Sequence, residues 1–363
     1  MKPTKVLSVY KWATMGGVER VFLNRAHAFQ NNNVMVDYNV LFLHDSGGLA
    51  RFNNYIQRHK LGNTVKVVEN FNPNEYDVIL SVDTPEILDL VTDCTKVYME
   101  CHTSYKANRT YLSKLPNDIG GVVVPSNFLK SEICKEVPLL LRDKIFELPN
   151  FVVDFKQTIL KEKSEIYSKT PLFYLGRLDR LKNIEEILKI FNNYLNKVGD
   201  HFILILAGPI IEHEINLMEL LEKYKVINRV VYLSPVDFEN VNKVFEMIKA
   251  QKGIFISAST SETYGLSVAE AIVSDIPVLL SYITAHAELV ENRSTFMYKL
   301  GDIEEATEKL RNIYFNYSEC NNELKKVKSK FSENKFIKSW DHFMNCISKG
   351  QTYFDVEKVT LSQ

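Results

Sequence analysis

Short, continuously apolar runs rich in β-branched and aromatic residues recur along the chain, separated by longer amphipathic stretches, and this alternation happens twice. The first series is Lys5–Tyr10, Val34–Leu43, Val65–Val68, Val78–Ser81, Lys96–Glu100 and Gly121–Val124. Most of these runs lack the polar-apolar alternation of a half-wet strand. They read as strands of a parallel sheet covered on both faces. Helical patterns lie between some of them, at Val18–Gln30 and Asn127–Lys135. The second series predicts strands at Leu172–Gly176, Phe202–Ala207, Val230–Leu233, Gly253–Ser257 and Val278–Ser281. Its helices are expected at Asn183–Val198, Glu212–Lys225, Val236–Lys252 and Ser267–Ser274. A strand-helix rhythm of this kind builds open parallel α/β sheets.

The expected architecture is therefore α/β, with two Rossmann-like doubly wound domains facing a central cleft. The 363 residues suffice for two such domains. The boundaries read as 1–155, 156–335 and 336–363. The last segment is a helix crossing back to the first domain, plus a tail that reads as loosely ordered. Pro149 to Thr170 has no clear period and reads as a linker. In the closing helix, placed at about Ser332 to Ile347, the residues Phe336, Trp340, Phe343 and Ile347 fall on one helical stripe, as for core docking.

Composition narrows the function classes. Lys+Arg number 44 and Asp+Glu 45, a formal net charge of −1. A dedicated duplex-DNA binder carries a basic excess, so nucleic acid is not an expected partner. The five cysteines form no CxxC pair, which predicts neither a disulfide framework nor a zinc cluster. The longest apolar stretch, Phe202 to Ile211, is interrupted by Gly208 and Pro209 and is well short of the ~20 residues of a membrane span. A cytoplasmic protein is expected, with peripheral contact at the inner face of the membrane still open.

Four segments concentrate chemistry-bearing residues at strand-to-helix junctions. In Ser257–Ala271, Glu262 and Glu270 stand eight positions apart around Gly265, where a helix opens and aims free N–H groups at the strand's carboxyl end. In Leu172–Asn183, Gly176 is followed by Arg177, Arg180 and Lys182. The guanidinium fork of Arg177 and the point charge of Lys182 suit a diphosphate, whereas Arg180 reads as solvated. Gly16 and Gly17 follow the first strand, where a tight turn allows close approach to an anion. His102 ends a strand in Tyr98–Tyr105. Each has an ordinary alternative: solvent-facing glutamates, surface cations, a plain turn, a structural histidine. No Walker A sequence and no HExxH occur.

As an ordered set, these segments resemble the retaining GT-B glycosyltransferases of the large glycosyl transferases group 1 family. Glu262-x7-Glu270 matches that family's Glu-x7-Glu motif. Gly176-Arg177 with Lys182 matches its Gly-Arg…Lys motif. Gly16-Gly17 matches its early glycine loop, and His102 its histidine after a mid-domain strand. Ala207-Gly208-Pro209 is a lesser echo. The chain departs where the family often has Lys-Gly, Glu-Gly-Phe-Gly and a glycine-rich turn. Here stand Lys182-Asn183, Glu262-Thr263-Tyr264-Gly265 and Tyr282 to Glu288. Those departures bear on which donor sugar is used.

The resemblance implies transfer of a sugar from a nucleotide-sugar donor, UDP-linked by first choice, to a hydroxyl of a cell-envelope glycan or lipid-linked glycan. Transfer would retain anomeric configuration and need no cofactor. No Asp-x-Asp triplet occurs, which fits a site without metal. Arg177 and Lys182 would hold the diphosphate, aided by backbone N–H groups at Tyr264, Gly265 and Leu266. Glu262 and His102 would act at the sugar, as the catalytic candidates. Glu270 would accept from the ribose hydroxyls, Gly17 would pack against the phosphate beside Gly16, and the base would lie near Pro235 and Val236. Two rival readings remain: a nucleotide-sugar 2-epimerase on the same fold, and a non-catalytic glycan- or partner-binding homologue.

Overall fold

The computed structural model describes residues 3–153 and 168–349. They fall into two compact units. One holds everything up to Val153 together with everything from Ser332 on, and the other ends at Phe331. The expected boundary near residue 155, most of the expected linker and the tail beyond Lys349 lie outside the described residues.

The first unit is built on a seven-stranded sheet: β1 (Thr4–Ala13), β2 (Val36–Asp45), β3 (Val65–Val67), β4 (Val78–Val82), β5 (Val97–Glu100), β6 (Gly121–Val124) and β7 (Ile145–Glu147). The spatial order is β3-β2-β1-β4-β5-β6-β7, and every pairing is parallel. Its helices are α1 (Gly17–Asn31), α2 (Leu49–Arg58) and α3 (Asn127–Ile133). The order reverses between β1 and β4, so the loops leaving those two strands diverge to opposite faces. That reversal opens a crevice at the strands' carboxyl ends, where doubly wound sheets bind ligands. β4, β5 and β6 are buried at every position, as continuous apolar runs demand. α1 lays Phe22, Leu23, Ala26 and Phe29, all essentially inaccessible, against the sheet. At α3, the Ser126 hydroxyl accepts from the Leu129 amide at 3.2 Å and so replaces one of the bonds that a helix start lacks.

The second unit repeats the plan with β8 (Thr170–Leu175), β9 (Phe202–Ala207), β10 (Val230–Leu233), β11 (Ile254–Ser257), β12 (Val278–Ser281) and β13 (Met297–Tyr298). The order is β10-β9-β8-β11-β12-β13, again all parallel, with the reversal between β8 and β11. The helices are α4 (Ile184–Lys197), α5 (Leu217–Lys223), α6 (Phe238–Ala250), α7 (Leu266–Val273), α8 (Thr284–Leu289), α9 (Ile303–Phe315) and α10 (Tyr317–Lys325). One glycine fixes the local path at the crevice. Gly208 has φ +134°, and a Cβ there would stand 2.0 Å from the Gly176 carbonyl oxygen. The β8 and β9 exits can therefore run side by side only if residue 208 has no side chain.

The last helix, α11 (Glu333–Lys349), packs within the first unit. Phe336 stacks on Phe151 at 4.7 Å, Trp340 meets Phe29 at 4.8 Å, and Phe343 lies edge-on to Tyr98 and Phe146. Phe336, Trp340 and Phe343 are buried as their spacing predicts, but Cys346 rather than Ile347 completes the stripe.

The structure also corrects several boundaries. Phe151, Val152 and Val153 are buried, with Phe151 clamped by α11, so the supposed linker is core at its start. The helix expected from Glu212 begins at Leu217, where the Asn216 side chain accepts from the Glu219 amide. Sequence periodicity also passes over β7, β13 and α2, and over α8 to α10. The first two are strands of three and two residues, too short to show a period of their own.

Candidate functional site

In the second unit the sequence-selected residues converge at the β8/β11 switch point. Arg177 follows β8 and is half exposed; its Nη2 lies 3.0 Å from Asp179 Oδ2. Asp179 is itself buried, and its other oxygen accepts from the Lys182 amide at 2.8 Å. One buried carboxylate thus shapes the whole Arg177–Lys182 turn. Lys182 Nζ then reaches across to the β11 loop and forms an ion pair with Glu262 Oε1. The loops are also tied by backbone: the Thr260 amide donates to the Leu181 carbonyl at 2.9 Å. Arg180 is set apart, exposed and bound to Glu214, donating to its carboxylate through the backbone amide and to its carbonyl through Nε.

Glu262 accepts from Ser259 Oγ at 2.9 Å as well as from Lys182. Burial raises its pKa, but the Lys182 charge and the two hydrogen bonds outweigh that, so the carboxyl is held below its ordinary value. Glu262 is thus an anion beside a cation, ready to exchange partners with a polar ligand. Gly265, at φ +94°, caps α7 in a left-handed conformation that disfavours other residues, and turns the helix start toward the β11 end. Tyr264 is buried against this turn, and Leu266 opens the helix. Glu270 is buried on α7, one turn further in. Pro235 and Val236 are placed differently. They follow the edge strand β10, two strands away from β8, with Pro235 exposed and Val236 half-buried.

At the foot of the Lys182 loop, Glu186 is a buried clasp. Its carboxylate accepts from Asn183 Nδ2 (2.8 Å), Tyr298 Oη (3.0 Å) and the Gly301 amide (3.0 Å). It fastens α4 to the end of β13. Asn183 stands in the left-handed region (φ +54°), where an asparagine is tolerated better than most residues.

In the first unit, His102 lies just past β5, as expected. Its Nε2 is 2.8 Å from Glu100 Oε1, and its amide donates to Asp83 Oδ2 at 3.0 Å. Glu100 also receives both terminal nitrogens of Arg25, one at 3.0 Å, and both side chains are essentially inaccessible. Burial opposes ionisation of Glu100, but Arg25 and His102 win, and its pKa falls well below 4.5. Asp83 is pushed the other way: burial raises it in spite of His102 and the Tyr111 hydroxyl, which donates to it at 2.8 Å.

Gly16 and Gly17 close the turn after β1, yet the turn's amides already have an acceptor. Glu19, buried at the start of α1, takes hydrogen bonds from the Thr14, Met15 and Gly16 amides and from the Thr14 hydroxyl. The Gly16 N–H is therefore committed within the protein, while a side chain at Gly17 would meet nothing within 4 Å. Sequence reasoning missed Glu19, Arg25, Glu100 and Asp83, and Asp179, Ser259 and His286 in the second unit. Glu19 alone had a local signal: an acid three residues past a Gly turn, the spacing of a side chain that folds back on the helix start.

Residues 156–331 match the family model for glycosyl transferases group 1. They form a glycosyl transferases group 1 domain. A sucrose synthase of Melioribacter roseus is 30% identical over 154 residues, 39% of this chain and 19% of the relative. A probable sucrose-phosphate synthase of Thermosipho melanesiensis is 28% identical over 213 residues, 58% of this chain and 48% of the relative. The matched segment thus spans less than half the length of either. The crystal structure of Anabaena Alr3699/HepE in complex with UDP and glucose superimposes with a TM-score of 0.76 at 14% identity, covering 94% of this chain and 99% of that one. The fold is GT-B, as in that structure.

Proposed function

We propose that this protein transfers a sugar from a UDP-sugar to a hydroxyl of a glycan, with retention of anomeric configuration and without metal at the diphosphate. The observation that carries the reading is the Lys182–Glu262 pair beside Arg177 at the switch point of the second sheet. A diphosphate needs two adjacent cations and a sugar needs an ionised acceptor, and all three stand at one loop junction. Complexes of HepE with UDP and with UDP-glucose support this choice of donor.

In this reading Lys182 leaves Glu262 when the donor enters and, with Arg177, takes the diphosphate. Charge that grows on the leaving phosphate is then stabilised by groups already in place. Amides at Tyr264, Gly265 and Leu266 add donors at the α7 start. Glu262, released from Lys182, accepts from sugar hydroxyls. Glu270 accepts from the ribose. Pro235 and Val236 lie beside the base. In the first unit His102, oriented through Glu100 and Asp83, is the polar group offered near the reacting carbon, with Gly17 as the unobstructed backbone of the β1 loop. A cell-envelope glycan is the acceptor to test first, with the chain acting at the inner face of the cytoplasmic membrane. Among the described residues, no helix is long and apolar enough to cross a membrane.

The test is a melting-temperature panel with UDP and other nucleotides, with and without magnesium, on wild type, Glu270→Ala and Lys182→Ala. A ligand at 100 times its Kd adds about 2.7 kcal/mol to the folded state. UDP is expected to stabilise wild type without magnesium, and both variants are expected to lose most of the shift. Loss of a charge-assisted bond at Lys182 weakens UDP by roughly 10- to 150-fold. Absence of a shift with every nucleotide refutes the reading. Anomeric configuration of the product, read by NMR, tests retention.

A further inference from the structure

Behind Glu262 lies a buried polar chain that the donor-binding scheme leaves unused. Ser257 Oγ and Ser259 Oγ are 3.2 Å apart, and Ser259 Oγ donates to Glu262. Ser281 Oγ, at the end of β12, donates to the Ser259 carbonyl at 2.6 Å. The chain ends at His286 on α8, which has no accessible surface.

The hydrogen bonds fix the state of His286. Its Nδ1 lies 2.9 Å from the Ser281 carbonyl oxygen, which can only accept, so Nδ1 carries the proton. Burial lowers the pKa of the ring against the raising effects of Glu262 and the Ser281 bond, which keeps it neutral. Nε2 is then a lone-pair acceptor. It is shielded from solvent and has no hydrogen-bond partner among the described residues. An unmade hydrogen bond in such a place is destabilising, so an unfilled buried acceptor calls for an explanation.

The ring's position supplies one. Cδ2, the atom bonded to Nε2, is 3.8 Å from the point where a Gly265 side chain would stand. The Cδ2 side of the ring therefore borders the Gly265 turn, and the ring lies within range of the Glu262 and Lys182 charges.

We propose that, once the Gly265 turn shifts to admit the donor sugar, His286 Nε2 accepts a hydrogen bond from a hydroxyl of that sugar, next to those held by Glu262, and so determines which donor sugar is used. The inference rests on the UDP-sugar reading of the site. It assigns His286 no part in binding the nucleotide, and that separates the two.

The experiment compares binding of UDP with binding of UDP-glucose, UDP-galactose and UDP-N-acetylglucosamine by calorimetry, using wild type, His286→Asn, His286→Gln and His286→Leu. Asn keeps a donor for the Ser281 carbonyl but withdraws the distal acceptor. Gln places an oxygen near the Nε2 position. Expected: UDP affinity stays within about twofold for all four proteins. The tightest UDP-sugar is weakened about tenfold in the Asn and Leu variants, is partly recovered in Gln, and the order of preference among the three sugars changes. Equal losses for UDP and UDP-sugar, or no loss for either in His286→Asn, would overturn the proposal and leave His286 as packing. If wild type binds no UDP at all, the UDP-sugar reading itself fails and the inference goes with it. Should His286→Leu fail to fold, the Asn and Gln pair decides alone.

Discussion

Glu100→Gln tests the electrostatic logic of the first unit most directly. One carboxylate, inaccessible to solvent, neutralises an equally buried Arg25 and orients His102. Glutamine keeps the volume and one acceptor but removes the charge, which leaves the Arg25 guanidinium buried without a counter-ion. Removal of one partner from a buried pair costs about 3–5 kcal/mol. At roughly 2–4 °C per kcal/mol for a unit of this size, melting of the first unit should fall by about 6–20 °C. Arg25→Met should cost a similar amount, because it strands the carboxylate instead. The double variant should recover most of the loss, since an apolar replacement of the whole pair is often neutral or stabilising. The coupling in the double-mutant cycle is then about 3 kcal/mol or more, of the sign that makes the double better than the sum of singles. The assay is urea unfolding followed by a probe in each unit, with the second unit as internal control.

The same pair sets an acid limit. The folded pKa of Glu100 lies below its ordinary 4.5, so its stabilisation is complete above about pH 4.5. It is lost as pH falls from there through the folded value. The double variant should lack this acid-sensitive component. A single-variant cost under about 1 kcal/mol, or strict additivity in the cycle, would refute the reasoning.

Further outcomes follow from the same structure. Gly208→Ala forces a Cβ to within 2.0 Å of the Gly176 carbonyl at a φ of +134°. It should destabilise the second unit by at least the ~1–3 kcal/mol of overpacking and weaken UDP binding; an unchanged melting temperature would count against the described crossing of the β8 and β9 exits. His27 on α1 is driven down to about 4, first by burial and then by the His59 charge. As pH falls from 6.5 to 4 the unfolded chain binds a proton that the folded one refuses, at a cost of up to about 3 kcal/mol. His27→Gln should flatten the stability profile over that window, and a profile identical to wild type there would contradict it. Trp340→Ala removes the ring lodged against Phe29 and should cost the first unit about 3–5 kcal/mol, read as an early transition confined to that unit in the same urea experiment.

The βα rhythm was legible because continuous apolar runs mean strands buried on both faces. Val230–Leu233, Phe202–Ala207 and Val278–Ser281 came out at the bounds read from sequence. The placement of Arg177, Lys182, Glu262 and His102 in loops past the carboxyl ends of strands was legible too, since a parallel sheet exposes its loops there. What sequence did not show is the set of partners. Asp179 under Arg177, Glu100 under His102 and Glu19 under the glycine turn are single acids with no period and, Glu19 apart, no motif. Their meaning comes from cations and amides brought to them by folding, in Glu100's case from 75 positions away. His286 makes the contrast sharpest. In sequence it is a histidine in a turn that departs from a family pattern. Its tautomer, its isolation from water and its edge against Gly265 exist only once β12, α7 and α8 are packed. Periodicity records which faces avoid water and is therefore written locally. Hydrogen-bond satisfaction in a low-dielectric interior depends on groups distant in the chain, and only the tertiary structure decides it.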